Sequence, residues 1–188
     1  MGKLKAPEGY RGYNLKEYTQ EGGSYPAILL DIQEHNGVRR DWEGETKIQD
    51  TCFMLFAYTD DNGKIGLVST KEFNFSAMPT SHLVKFLNKL RGKETPLDGT
   101  YDPAIEIGSK VMVTIEEKTS KAGRQYGVVA MAIPVKKKME SECPNFLEAE
   151  ELIPDGRCTP RPSHLVIEQP KKMDKAEDSS DDGDESPF

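Results

Sequence analysis

The residues of this 188-residue chain that could carry reaction chemistry are three histidines, three cysteines and a scatter of carboxylates. His35, His82 and His164 lie far apart, and no nucleophile motif surrounds any Ser or Cys. Cys143 and Cys158 with His164 offer at most three zinc ligands. They lack CxxC spacing and, like Cys52, read as free thiols of a reducing compartment. Asn62-Gly63-Lys64 is like the end of a phosphate loop, but Tyr58 stands where the upstream glycine belongs. A hairpin turn accounts for it. Asp31, Asp50, Asp60 and Asp61 could hold a metal as in nucleases, although a solvated turn explains the last two better. The expectation is a protein with no enzyme activity, no cofactor and no metal.

Binding chemistry is better represented. Proteins that hold single strands combine cations for phosphates with flat rings on which bases stack. Trp42 stands beside Arg39 and Arg40, and Tyr126 beside Arg124, with Lys118 and Lys121 shortly before. Phe56, Tyr58, Phe73 and Phe75 add rings on two apolar runs, and Lys71 shares a face with the last two. Core packing is the competing account of every ring. Along 47–58, Phe53, Leu55 and Ala57 oppose Met54, Phe56 and Tyr58; both sets are apolar, and one must be core.

The elements that must position these residues are mostly strands. Val111, Val113 and Ile115 alternate with Met112, Thr114 and Glu116, and a second β-rich run, 126–133, follows a polar turn at 118–125. This hairpin has a cationic tip and needs a larger sheet, because an isolated hairpin is marginal in water. Residues 25–32 form a first strand, with Ala27, Leu29 and Asp31 on one face and Ile28, Leu30 and Ile32 on the other. Residues 34–46 read as a long polar connection, 47–58 as a second strand, and 60–63 as a tight turn leading to a third strand over 64–75. Leu83, Phe86, Leu87 and Leu90 then mark one face of a helix, capped by Thr80 or Ser81 and ended by Gly92. The order β-β-β-α-β-β, which some small α+β sheets share, is the one expected of an OB-fold, a five-stranded barrel whose second and third strands and 1–2 and 4–5 loops bind oligonucleotides. Those loops are 34–46 and 118–125, the two richest in bases.

Charge divides the chain. Residues 1–138 hold 20 basic and 18 acidic residues, net +2, whereas 139–173 are net −3 and 174–188 net −6. The overall −7 therefore belongs to the end of the chain rather than to a domain. The expected organisation is an N-terminal arm over 1–24, an OB-fold domain over 25–138, a Pro-rich linker over 139–173 and a disordered acidic tail over 174–188. One or two helical turns are expected near 145–152. No long apolar run predicts a membrane span or signal peptide.

The run from KEFNF through RGK to GSKVMVTIEEKTSKAGRQYGVVAMAIPVKK resembles the phage-type single-stranded DNA-binding OB-fold proteins. DDGDESPF resembles the acidic tip of bacterial single-stranded DNA-binding proteins, with Ser186 where that tip carries Ile. The resemblance implies a non-enzymatic protein in the cytoplasm of a bacterial host cell. It would coat single-stranded DNA in replication, recombination and repair, and recruit partner proteins through Asp181, Asp182, Asp184, Glu185, Pro187 and Phe188. Homo-oligomerisation stays open. The rival expectation is an acidic interaction module or DNA mimic whose barrel binds protein only.

Overall fold

The computed structural model describes residues 12–18 and 20–165. The fold is mainly β: one six-stranded antiparallel open sheet with few helices. The strands are β1 (Gly23–Trp42), β2 (Glu45–Thr59), β3 (Ile65–Ser69), β4 (Phe73–Asn74), β5 (Lys110–Thr119) and β6 (Gln125–Pro134). Their order across the sheet is β3-β2-β1-β5-β6, with β4 pairing the far part of β2. β1 organises the sheet because it is long enough to pair β5 over residues 23–28 and β2 over 27–42. Helix α1 (His82–Arg91) lies between β4 and β5. The Ser81 side chain accepts from Val84 N, and Gly92 closes the helix at φ 67°, a conformation open to glycine.

Two expectations about the strands change. Residues 34–46 are not a loop: β1 and β2 continue as a paired ribbon to a two-residue turn, Glu43-Gly44, where both φ values are positive (50° and 81°). Such turns match the twist of the flanking strands, so the ladder runs to its tip although the ribbon side chains are polar. The third strand is split. Thr70 leaves the β2 ladder, with its hydroxyl accepting from Met54 N, and pairing resumes only at Phe73.

A bulge also reassigns faces. Leu29 opposes Phe56 and Asp31 opposes Leu55, leaving Leu30 as the extra residue. One added residue turns everything after it to the other side. Ala27, Leu29 and Ile32 therefore share the inner core with Met54, Phe56, Val111, Val113 and the apolar face of α1. Ile28 and Leu30 point outward with Leu55, Ala57 and Leu67.

That outer face is covered by the chain itself. Tyr13, Leu15 and Tyr18 of the N-terminal arm pack on it, as do Phe146, Ala149 and Ile153. The last three belong to or follow α2 (Phe146–Glu150), whose Asn145 cap accepts from Leu147 N and Glu148 N. The stretch expected as a linker thus packs on the sheet as far as Leu165, and a strap over 157–159 crosses β1. Thr159 donates to Ile32 O, and Arg157 to Leu30 O at 2.6 Å, so the strap engages the carbonyl that the bulge exposes. The remainder of the expected linker, and the acidic tail, lie outside the described residues.

The two ends of the sheet, β3 and β6, meet through one parallel bridge, Thr70–Val129. Beside it the buried Gln20 amide spans the gap, donating to Leu67 O and accepting from Gly127 N, both at 3.1 Å. Gly127 has to be glycine there: a Cβ would stand 2.5 Å from Gln20 Cβ and 2.8 Å from Ile115 Cγ2. Replacing Gln20 by Ala should cost about 1–3 kcal/mol in urea unfolding, because both buried backbone groups lose their partner. Gly127→Ala should destabilise similarly by crowding. Wild-type unfolding midpoints for both variants would show that the amide does not join the sheet ends.

Candidate nucleic-acid interface

The expected binding residues fall into three groups. Phe56, Tyr58 and Phe73 are core side chains, fully or almost fully buried, with no ring face left for a base. Phe56 and Phe73 pack on Phe86, and the Tyr58 ring lies tilted against Tyr25, centroids 5.1 Å apart. Tyr58 also lies over Gly66, its cross-strand partner, and burial pushes its phenol up to about 12. Alternation left two apolar faces on β2, and Phe56 and Tyr58 belong to the inner one, where Phe73 of β4 joins them; the outer one is claimed by the arm and α2.

The second group sits on the ribbon. Arg39 is exposed, 3.6 Å from Asp41 and 3.3 Å from Thr46 Oγ1. Arg40 forms a 2.6 Å ion pair with Glu72, beside the exposed Lys71. Trp42 pairs Glu45 through its backbone, and its ring lies outside the described part of the structure. Ladder pairing places Asp41, Glu43 and Glu45 among Arg39, Arg40 and Lys47, so the ribbon tip is close to neutral. Where the ribbon leaves the body of the sheet, the inner face opens to solvent at Ile48 and at Phe75, whose N–H donates to Asp50 O. Of the four strand aromatics, Phe75 alone keeps an open ring.

The third group is the β5–β6 tip. Ser120 N–H donates to Arg124 O, Ser120 Oγ accepts from Arg124 N, and Gly123 has φ 79°, giving a compact turn with Lys121 at its apex. Lys118 and Tyr126 oppose each other across the ladder. Tyr126 is 40% exposed, and Lys118 reaches Glu116 at 3.1 Å. Here exposed ring and exposed cations do stand together. The tip and the ribbon lie toward different ends of β1, whose start pairs β5 and whose far end forms the ribbon.

The groups that could have supported catalysis are dispersed and engaged. His35 contacts Gln33 and the edge of Phe53, whereas His164 lies 3.2 Å from Ile107 O. Asp60 accepts from Asn62 N and Lys64 N in the β2–β3 turn, and Asp50 from Gly37 N. Burial, then Glu34 and Glu72, pushes the Cys52 thiol up to about 12. Among the described residues no cluster of His, Cys, Asp and Glu could hold a metal ion. The partner-binding candidates Asp181, Asp182, Asp184, Glu185, Pro187 and Phe188 lie outside the described residues.

Comparison with known proteins leaves the assignment to this geometry: no protein-family model matches the chain, and no curated protein matches it significantly.

Burial separates the two tyrosines experimentally. Tyr126→Ala should leave stability within about 0.5 kcal/mol of wild type, as for other exposed sites. Tyr58→Ala should cost about 3–5 kcal/mol, the usual price of emptying a large aromatic site in a core. Equal effects on the melting temperature would contradict these placements.

Proposed function

We propose that the chain is a non-enzymatic protein that binds single-stranded DNA without sequence specificity. The observation that carries this is the β5–β6 tip, where exposed Tyr126 opposes Lys118 beside Lys121 and Arg124. A base can stack on the ring while the cations hold its phosphates. The connectivity supports an OB-fold as the scaffold. β1 is shared between β2 and β5, β5 pairs β6, and β3 meets β6 in parallel, which are the pairings of a closed five-stranded barrel. The resemblance to phage-type single-stranded DNA-binding proteins favours work in replication, recombination or repair inside a bacterial host. Residues 181–188 would recruit the partner proteins.

A protein-only interaction module is the second reading, favoured by the nearly neutral ribbon and by exposed Ile48, Phe75 and Met78. Titrating labelled poly-dT with the full chain separates the two. The full chain is required because 139–165 pack on the sheet. Binding should exceed that to duplex and weaken with salt, with a log–log slope of about −0.7 per phosphate neutralised. Absence of binding at low salt, or a preference for duplex, would favour the second reading.

A further inference from the structure

The barrel has a second outer face, across β5 and β6, that the sequence reading did not single out. Val111, Val113, Ile115, Val129 and Ala132 point into the core. The opposite side carries the ladder pairs Met112–Ile133, Thr114–Met131, Glu116–Val128 and Lys118–Tyr126. A solvent-facing antiparallel strand normally places polar side chains outward. On β6 these outward positions are Tyr126, Val128, Met131 and Ile133, all apolar or aromatic. Tyr126 and Ile133 are 40% and 41% exposed, and the two between them are half-buried. The equivalent face of β1–β3 is covered by the arm and α2; this one is not covered to that degree.

Charge brackets the apolar row. At one end stand Lys118, Lys121 and Arg124. At the other, Lys110 lies on the same face as Met112, and β6 runs directly into Lys136, Lys137 and Lys138, all exposed. Lys93 is near this end, because Gly92 touches Pro134. Glu116, the one carboxylate among the outward positions of the two strands, is paired with Lys118. From Lys118 to Lys110 is eight residues of strand, about 27 Å.

Resting on the single-strand reading above, we propose that the outer face of β5–β6, from the hairpin tip to Lys136-Lys137-Lys138, is the track on which single-stranded nucleic acid lies. Its bases pack on Tyr126, Met131 and Ile133, and its phosphates are held at the two lysine-rich ends. An occupant must be flat and apolar in the middle and anionic along its length. A single strand meets both demands, whereas a duplex hides its bases. The length suits the short site sizes of single barrels.

The test uses the full chain and fluorescein-labelled dT oligomers, with circular dichroism to verify folding. Lys136→Ala/Lys137→Ala/Lys138→Ala should weaken binding at least tenfold at low salt and make the log–log salt slope shallower by about 2, three phosphates at ~0.7 each. Met131→Ser/Ile133→Ser should weaken binding about tenfold with the slope unchanged. Lys85→Ala/Lys89→Ala on α1 should bind within twofold of wild type. Crosslinking of wild type to 4-thiothymidine-substituted strands, which needs no variant to fold, should map to residues 126–138. Wild-type affinity in both track variants, or crosslinks confined to the ribbon, overturns the track while leaving single-strand binding intact. A track variant that splits a dimer of the free protein without altering DNA affinity also overturns it, making the face a contact between copies. If wild type binds no single strand at all, the underlying reading fails first.

Discussion

The Asp31 carboxylate has no solvent exposure, and the placing of Tyr13 and of the 157–159 strap follows from what it needs. A buried charge is tolerated only when hydrogen bonds and an opposite charge replace its water. Asp31 accepts from Cys158 N at 2.7 Å, Thr159 N at 3.0 Å and the Tyr13 hydroxyl at 3.1 Å, and Arg157 stands 3.7 Å away. Burial, then the Asp31 charge, raises the Tyr13 phenol well above its usual range, which keeps it a donor. Arg157 and Arg161 both pair with Glu150 at the end of α2. One carboxylate thereby clasps arm, strap and α2 onto β1. Removing one partner of such a buried pair typically costs about 3–5 kcal/mol, a large share of a domain's stability.

The clasp has a functional consequence. The face of the second and third strands that the proposed OB-fold would offer to nucleic acid is here the floor beneath Tyr13, Leu15, Tyr18, Phe146, Ala149 and Ile153. Cations are distributed to match. The ribbon offsets its arginines with Asp41, Glu43, Glu45 and Glu72, while the outward row of β6 is apolar, with lysines at both of its ends. On the proposed function, burial and charge both favour β6 as the place for a single strand.

Much of this fold is legible in the sequence, because strand alternation, the 60–63 turn and the capped helix are local signals. Ser81, Gly92 and the apolar stripe from Leu83 to Leu90 need no distant partner to declare themselves. The bulge at Leu30 has no local signal: the side chain that takes its carbonyl, Arg157, lies 127 residues later. Simple alternation therefore groups Asp31 with Ala27 and Leu29, when it belongs with Leu55. The ribbon was hidden because its pairing is backbone chemistry beneath a polar sequence, and Glu43-Gly44 is a weaker turn signal than Asn-Gly. Phe56 and Tyr58 could not be separated from surface rings because both faces of β2 are apolar, and Phe73 shares a face with the exposed Lys71. Only the arm and α2 show why. The hairpin, its cations and Tyr126 beside Arg124 were legible because a hairpin is local, whereas Lys118 was read as part of the turn and its ladder pairing with Tyr126 was not.

In the proposed complex, arm and strap are permanent parts of the fold and a single strand binds away from them. Amide hydrogen exchange of the full chain, with and without saturating poly-dT, should then show added protection over 110–138 on binding, with exchange at 13–18 and 146–159 unchanged. Faster exchange at 13–18 and 146–159, together with new protection over 53–57 and 65–69, would contradict it. DNA would then have displaced the clasped segments and taken the β1–β3 face.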